Sequence, residues 1–531
     1  MNQHAPSSAA STSPTAMGRW MALAAALLGW MFDGAEMGLF SMVGRAAIQN
    51  LLGFSEGKLP DAQEDIVGHY FGIVIAVFLV GAATGGVLFG WLGDRIGRVR
   101  AMSLSVVTYA LFTGLCGLAA APWQIAILRF IAALGMGGEW ALGVALVMEV
   151  WPNRSRALMA GLIGAAANVG YLLVGVVGLG LTSILSQLEG WLVAVGVSTQ
   201  WASALVAFKG WRILMILGAA PALLTFFFRL FVPESEKWQH EQGRGSTSNW
   251  ATRDLIGVFV GALGPGMIIA VWSIKTWPAG WSPALIGMIR AVASLLGLLV
   301  AVGGYTYPVM RYLQRYASQE TRISFSHPII RRMMLAAVLS GIALLGTWGS
   351  TQWAPAWVGK LTDSASGTRE WTQIWLAAGA CVGTIAAALS GDLFGRRITY
   401  FGMCLVSLVS ALWLFLANRS FGNPLLASAF VAGACTASFY GWLPLYLPEL
   451  FGTNVRATGQ GFGFNFGRII AAVGALQTGA LMGLFQTDQQ VLGITIPRGY
   501  PLACSTMSLV YFVGMVFIWF APETKGQPLP D

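Results

Sequence analysis

Along the 531-residue chain, apolar runs of twenty or more residues alternate with short polar turns. A helix needs about 20 apolar residues to cross a bilayer core roughly 30 Å thick. On that measure spans are read near 20–43, 67–91, 101–121, 123–149, 157–186, 211–232, 254–276, 283–306, 333–357, 371–390, 398–417, 424–444, 457–483 and 501–521, fourteen in all. The chain is thereby read as an all-α, polytopic membrane protein. Residues 1–18 are rich in Ser, Ala, Thr and Pro and carry no basic n-region. The run that follows is too long for a secretory h-region, so it is read as the first span, preceded by a disordered tail.

One stretch strains the count. Residues 190–208 are apolar enough to suggest a fifteenth span, and accepting it would invert every later loop. Lys and Arg favour cytoplasmic loops. With fourteen spans and the amino terminus inside, the inner segments hold 18 of the 31 Lys and Arg, the outer segments hold seven, and the rest lie within spans. Residues 190–208 are therefore placed in an outer interfacial or re-entrant hairpin. Both termini are then cytoplasmic, in a multi-pass protein of the cell membrane.

Composition agrees with this reading. Hydrophobic residues make up 56% of the chain and charged residues only 10%, with a mean hydropathy of +0.67. Soluble domains carry about 25% charged residues, so a water-soluble enzyme, a nucleic-acid binder and a disordered scaffold are excluded. The net charge of +9 reflects few acids rather than many bases, and it advertises no nucleic-acid partner. Cys116, Cys381, Cys404, Cys435 and Cys504 all sit in apolar runs without CxxC spacing, and the four His are scattered, so no metal or disulfide framework is expected.

Aligning the spans exposes an internal repeat. Gly93-Asp94-Arg95-Ile96-Gly97-Arg98 returns as Gly391-Asp392-Leu393-Phe394-Gly395-Arg396, 298 residues later. Glu149, Arg156, Ala157 and Gly161 return as Glu449, Arg456, Ala457 and Gly461, and Pro233-Glu234-Ser235 returns as Pro522-Glu523-Thr524. The expected organisation is a tail (1–18), a six-helix half (19–232), a loop region with two extra helices (233–332), a second six-helix half (333–521) and a tail (522–531). Parallel repeats about an axis along the membrane normal are a transporter architecture, with the substrate site between the halves near the midplane.

The run Gly90-x-Leu92-x-Asp94-Arg95-x-Gly97-Arg98 resembles the signature loop of the major facilitator superfamily, and its half-repeat stands between spans ten and eleven. The resemblance implies the major facilitator fold over nearly the whole chain. Asp33-Gly34-Ala35-Glu36 in span one is similar to the corresponding segment of organic-acid:proton symporters, as is Arg129 followed by Leu134-Gly135-Met136-Gly137-Gly138-Glu139-Trp140 in span four. Fourteen spans resemble the sialic acid:proton symporters in particular. The Pro-Glu-Ser and Pro-Glu-Thr-Lys-Gly endings are similar to those of sugar porters.

The loop charges are read as a gate. Asp94 beside Arg95 and Arg98 can form charge-assisted hydrogen bonds to a neighbouring helix end or cap a helix amino terminus, with Gly90 and Gly97 allowing close backbone approach. Asp392, Arg396 and Arg397 are their counterparts, and Leu393 in place of Arg95 predicts a weaker latch there. Glu149 with Arg156, and Glu449 with Arg456, form a second cluster. The alternative is that these are solvated loop charges set by the positive-inside bias.

Charges within the spans suggest the chemistry, since such residues usually face a cavity and pair. At 1.5 Å per residue Asp33 and Arg129 reach similar depth, which predicts that they pair. Glu36 shares a helix face with Asp33. Two adjacent carboxylates in oil do not both stay ionised cheaply, so one of them is expected to exchange a proton near neutral pH. Glu139 is read as a second relay or a helix-packing carboxylate. Arg468 near mid-depth in span thirteen is expected to take an anionic substrate group, with Asn465 orienting it. Trp348 and Gln352 in span nine, and Asn168 and Tyr171 in span five, are read as cavity liners or, equally, as interfacial and core residues.

The functional expectation is secondary active transport of a small organic anion with protons, by a monomer that is not an enzyme and whose only cofactor is the proton gradient. A sugar:proton symporter or facilitator is the alternative, followed by an efflux antiporter or a transporter-like nutrient receptor.

Overall fold

The computed structural model describes residues 16–57, 59–229, 232–316, 327–363, 365, 367–484, 487–491 and 494–530. Most of the amino-terminal tail, Lys58 and Arg322 lie outside the described residues. The first bundle contains α1 (Ala16–Leu51), α2 (Asp61–Ile96), α3 (Arg98–Cys116), α4 (Pro122–Val150), α5 (Arg156–Ala194) and α6 (Thr199–Arg229). A short helix, α7 (Glu236–Gly243), leads to a hairpin of α8 (Leu255–Trp272) and α9 (Pro283–Tyr316). The second bundle contains α10 (Pro328–Trp348), α11 (Ala354–Leu361), α12 (Thr368–Phe394), α13 (Arg396–Ala417), α14 (Asn423–Ala437), α15 (Phe439–Tyr446), α16 (Arg456–Leu484), α17 (Tyr500–Ser508) and α18 (Val510–Phe517).

Among the described residues, thirteen helical segments are long and apolar enough to cross a membrane. The 29-residue α16 is a fourteenth long helix. Residues 190–208 form no span of their own. They complete α5, turn through Gly196 and open α6, whose helix breaks at Ala207–Gly210 and resumes at Trp211. One element was not anticipated: an antiparallel pair, β1 (Gln489–Val491) and β2 (Ile494–Ile496), between α16 and α17. Three-residue strands leave too little alternation to be read from sequence.

The sequence repeat is a structural repeat. Gly97 (φ 110°) and Gly395 (φ 92°) make equivalent sharp links from α2 to α3 and from α12 to α13, with a backbone that disfavours a side chain. Neither following helix has a local side-chain cap. Distant carboxylates cap them instead. Glu234 accepts from the N–H groups of Arg98 (2.9 Å) and Val99 (3.1 Å), and Glu523 accepts from those of Arg396 (2.9 Å) and Arg397 (3.1 Å). Burial pushes the Glu234 carboxyl above its ordinary range. Burial opposes the Glu523 charge as well, but its backbone N–H donors hold that carboxyl below the usual range.

Small residues set the helix spacing, as expected where apolar burial alone does not drive helices together. Gly85 and Gly137 lie directly on the backbones of Leu134 and Ala82, fastening α2 to α4, and Gly379 and Gly383 lie on those of Phe430 and Ala434, fastening α12 to α14. The α8–α9 hairpin docks on α2 and touches α16. It is tied to α2 by a buried hydrogen bond between the Tyr305 and Thr84 hydroxyls (2.8 Å). Its other face exposes Phe259, Leu263, Leu295 and Leu299, a surface suited to lipid.

A methyl group at position 383 would meet the Ala434 backbone, whereas one at 402 meets nothing within 4 Å. Gly383→Ala is therefore expected to lower thermal stability in detergent by roughly 1–3 kcal/mol. Gly402→Ala should leave the melting temperature unchanged or slightly raised.

Candidate functional site

Two regions join the bundles: a cavity within the apolar layer and a polar seam at the end that carries the loops after α2 and α12. The cavity is lined by α1, α2, α4 and α5 of the first bundle and by α10, α12, α14, α15 and α16 of the second. Its volume is ≈ 1120 Å³, including the part open to solvent. Rings dominate the wall: Trp30, Phe78, Tyr171, Trp348, Tyr440 and Phe464. Polar groups are fewer, notably Asp33, Asn168, Gln352 and Arg468, with the hydroxyls of Thr347, Thr351 and Thr436.

Asp33 and Arg468 come from opposite bundles, one on α1 and the other on α16. Asp33 is 7% exposed, and its charge acts directly on Arg468. The guanidinium of Arg468 stands over the Phe464 ring at 5.5 Å, and its Nη1 is buried without a hydrogen-bond partner among the described residues. A buried guanidinium N–H left unsatisfied costs about 1–3 kcal/mol or more. This group is therefore primed for an acceptor. Across the cavity Gln352 donates to the Tyr171 hydroxyl at 3.1 Å, while Asn168 turns back onto the Gly164 carbonyl at 2.9 Å.

Several sequence expectations change here. Arg129 pairs with Glu36, one turn beyond Asp33. Depth alone could not choose between two carboxylates on one helix face. The Arg129 guanidinium also lies on the rings of Phe40 (4.1 Å) and Phe78 (4.3 Å), so this pair is set behind the cavity wall. Glu139 is buried in α4 and does not line the cavity. Asn465 does not line it either. Its side chain donates to Gly137 of α4 (3.1 Å) and to Gly461 (3.0 Å), so it belongs to the contact between bundles.

The seam is built on the first turn of α16. The Asp94 carboxylate accepts from the N–H groups of Ala457 (3.2 Å) and Thr458 (2.9 Å), from the Thr458 hydroxyl (2.6 Å) and from Arg98 (3.0 Å). It thus serves as an N-cap supplied by the other bundle. Gly90 lets α2 come onto the backbone of Ala457 and Thr458. Arg98 reaches the Thr453 carbonyl (2.7 Å) across the seam and the Glu149 carboxylate (3.0 Å) within its own bundle. Glu149 in turn binds Arg456 of the second bundle (2.8 Å). Gln460 donates to the Ala141 carbonyl. Arg98, Glu149, Asp94 and Arg456 are all buried, and each has an opposite charge, as burial requires.

The repeat-related cluster differs. Arg396 pairs with Glu449 at 2.6 Å, and Thr524 donates to Glu449 at 2.5 Å. The Asp392 side chain, however, is 54% exposed, and it pairs with Arg396 at 3.7 Å. Arg156 contacts Asn153 and feels the Glu449 charge. Arg95 turns away from the seam to Thr252 (2.6 Å) beside the extra hairpin, and Arg397 binds the Ala521 carbonyl (2.6 Å).

Sequence reasoning missed Trp30, Phe464 and Tyr440 in the cavity and Thr453, Thr458 and Gln460 in the seam. The first two carried a usable signal, since Trp30 is three residues from Asp33 and Phe464 four from Arg468, each on the face of the charge. Tyr440 and the seam residues had none, because their partners are distant in sequence.

Residues 21–258 match the family described as sugar (and other) transporter. The chain is 24% identical over 515 residues to a putative metabolite transport protein of Haemophilus influenzae, covering 96% of this chain and 98% of that protein. It is 24% identical over 509 residues to the cis,cis-muconate transport protein of Acinetobacter baylyi, covering 95% and 94%. The sialic acid transporter NanX of Escherichia coli is 28% identical over 217 residues, 41% of this chain and 44% of that protein. Among solved structures, the major facilitator proton:xylose symporter XylE from E. coli covers 97% of this chain and 98% of its own, at a TM-score of 0.64 and 17% identity.

The asymmetry of the two loops is testable. Asp94→Asn removes the anionic cap of α16 and should lower stability in detergent by about 1–3 kcal/mol. Asp392→Asn, at an exposed side chain, should stay within about 0.5 kcal/mol of the parent. Thermal unfolding of the two purified variants side by side checks this.

Proposed function

We propose that this chain, a transporter of the major facilitator superfamily, moves a small organic anion together with a proton across the cell membrane by alternating access. The observation that carries the reading is Arg468, buried in the cavity between the bundles with an unpartnered Nη1 and the Asp33 charge beside it. An organic carboxylate and the Asp33 carboxylate are chemically the same partner for that guanidinium. When Asp33 is ionised it satisfies Arg468 and repels an incoming anion. When Asp33 takes a proton, Arg468 is freed to bind the anion through a forked pair of hydrogen bonds. Proton and substrate then load together, and neither alone gives a neutral site. Tyr440 and Tyr171 line the same space, where the Tyr171 hydroxyl accepts from Gln352.

In this reading Glu36 and Arg129 keep α1 and α4 in register behind the site, and Glu139 lies in the same packed layer. Trp348, Gln352, Asn168 and Tyr171 shape the chamber. The halves at 19–232 and 333–521 rock about it. The seam at Asp94, Arg98, Glu149 and Arg456 is the closed gate of the cytoplasmic side, placed there by the Lys and Arg bias, with both termini on that side. Arg396, Arg397 and Glu449 stiffen the equivalent end of the second half, Asp392 stays at its surface, and Arg156 of the first half lies within reach of the Glu449 charge. The site calls for no cofactor beyond the proton gradient. The relatives' names support an organic acid as cargo: one moves cis,cis-muconate and another sialic acid.

The neutral hydroxyls and amides of the cavity, with the likeness to a proton:xylose symporter, favour a sugar as the second reading. Counterflow in proteoliposomes with sialic acid, mono- and dicarboxylates, aromatic acids and hexoses separates the two. Organic anions should exchange and an inward proton gradient should drive their accumulation; accumulation of hexoses alone would replace this reading with the second. Asp33→Asn should abolish proton-driven accumulation while sparing exchange. Arg468→Ala should raise the KM at least tenfold or stop transport, with partial recovery in Arg468→Lys, and unchanged kinetics would remove Arg468 from the site.

A further inference from the structure

The segment after the last helix does not trail into solvent. Glu523 and Thr524 anchor it against α13 and Glu449. Lys525 donates to the Leu393 carbonyl at 2.7 Å. The chain then reverses: the N–H of Gln527 bonds the Thr524 carbonyl at 3.1 Å, and Gly526 has φ +75°, a conformation that favours glycine. The turn brings Leu529 and Pro530 back into the protein. Leu529 is only 4% exposed and belongs to the same apolar cluster as Leu450, Phe451 and Val455, the residues that lead into α16. The Pro530 carbonyl accepts from Nη2 of Arg456.

That last contact matters because of what else Arg456 does. Its Nη1 binds Glu149 of the first bundle at 2.8 Å and the Thr453 hydroxyl at 3.0 Å, and its Nε donates to the Phe451 carbonyl at 3.2 Å. The guanidinium is fully buried. The tail therefore completes the donor set of the one arginine of the second bundle that is paired with Glu149 across the seam. We propose that Lys525–Pro530 is an intramolecular clasp: by seating Leu529 beside the α16 entry and occupying Arg456, it holds the Asp94 end of the seam shut, and its release lets that end open. Without the tail Nη2 of Arg456 loses its acceptor and the entry of α16 loses the apolar contact of Leu529, so the closed arrangement loses stability relative to an open one. A tail that both detaches and reseats gives the chain a means of setting how much of the protein is closed, independent of the cargo.

The test needs no substrate, so it stands or falls apart from the reading of the cavity. Ala141, fully buried and facing Gly461 across the seam, is replaced by cysteine as a reporter, in a chain that keeps Cys504 and lacks the other four native cysteines. Cys504 is buried in a separate cluster around Phe415 and Leu425 and serves as the reference. Labelling by N-ethylmaleimide is followed in purified protein. Ending the chain after Gly526, or substituting Leu529→Asp in the full chain, should speed labelling at position 141 by roughly tenfold and leave Cys504 unchanged. Labelling within twofold of the parent in Leu529→Asp, or an equal acceleration at Cys504, overturns the clasp. Leu529→Asp alone carries the test if the shortened chain does not fold.

Discussion

A charge taken out of water must find opposite charge or well-aimed dipoles, and everything at the junction of the two bundles follows from that requirement. Asp94 meets it by capping a helix of the other bundle. Its carboxylate is surrounded by two backbone N–H groups, a hydroxyl and a guanidinium. Three of these four donors come from the second bundle. The seam is thus held by desolvated electrostatics rather than by apolar area, which is interchangeable with lipid in a membrane. Because such contacts are directional, they are either made or broken, and a junction of this kind has discrete states rather than a continuum.

The cavity obeys the same rule with one term missing. Glu36 and Arg129 pair behind the wall, and the aromatic faces of Phe40 and Phe78 cover the guanidinium. Arg468 has only part of its donor set occupied. Buried pairs that are complete are structural by default, since opening them is costly. An incomplete one, placed where two bundles meet and walled by rings, has a reason to persist only if something from outside completes it. Position, more than any single residue type, distinguishes Arg468: it lines the cavity between the bundles, whereas Arg129 is ion-paired behind the wall.

How far the sequence reaches follows from the range of each signal. Helix existence depends on apolar runs, which are local, and the long helices of the two bundles were legible for that reason. The repeat was legible because Gly97 and Gly395 need a backbone that other residues disfavour, and because Arg98–Glu149 and Arg396–Glu449 make the same pair in the two halves. Pairing was not legible. Asp33 and Glu36 lie on one helix face, and only the rotation of α1 against α4 and α16 sends one toward Arg129 and the other toward Arg468. Asn465 reads as a cavity residue by depth, yet its amide points to the Gly137 carbonyl, in space that Gly86 of α2 leaves open. The inward turn of Leu529 and Pro530 left no periodicity to detect in a segment of six residues.

The two loops show what a repeat does when its halves stop being equal. Arg396 and Glu449 reproduce the Arg98–Glu149 pair, and Glu523 reproduces the cap made by Glu234. What is not reproduced is the step across the seam: Asp94 reaches α16, while Asp392 stays at the surface with Arg396. Two equally strong caps would add their stabilisation on the same side and make the closed arrangement hard to leave. Here one buried cap and one ion pair cross the seam, with the hydrogen bonds of Arg98, Gln460 and Asn465 beside them. The second half has the parts of the motif that stiffen its own loop and lacks the carboxylate cap that crosses the seam.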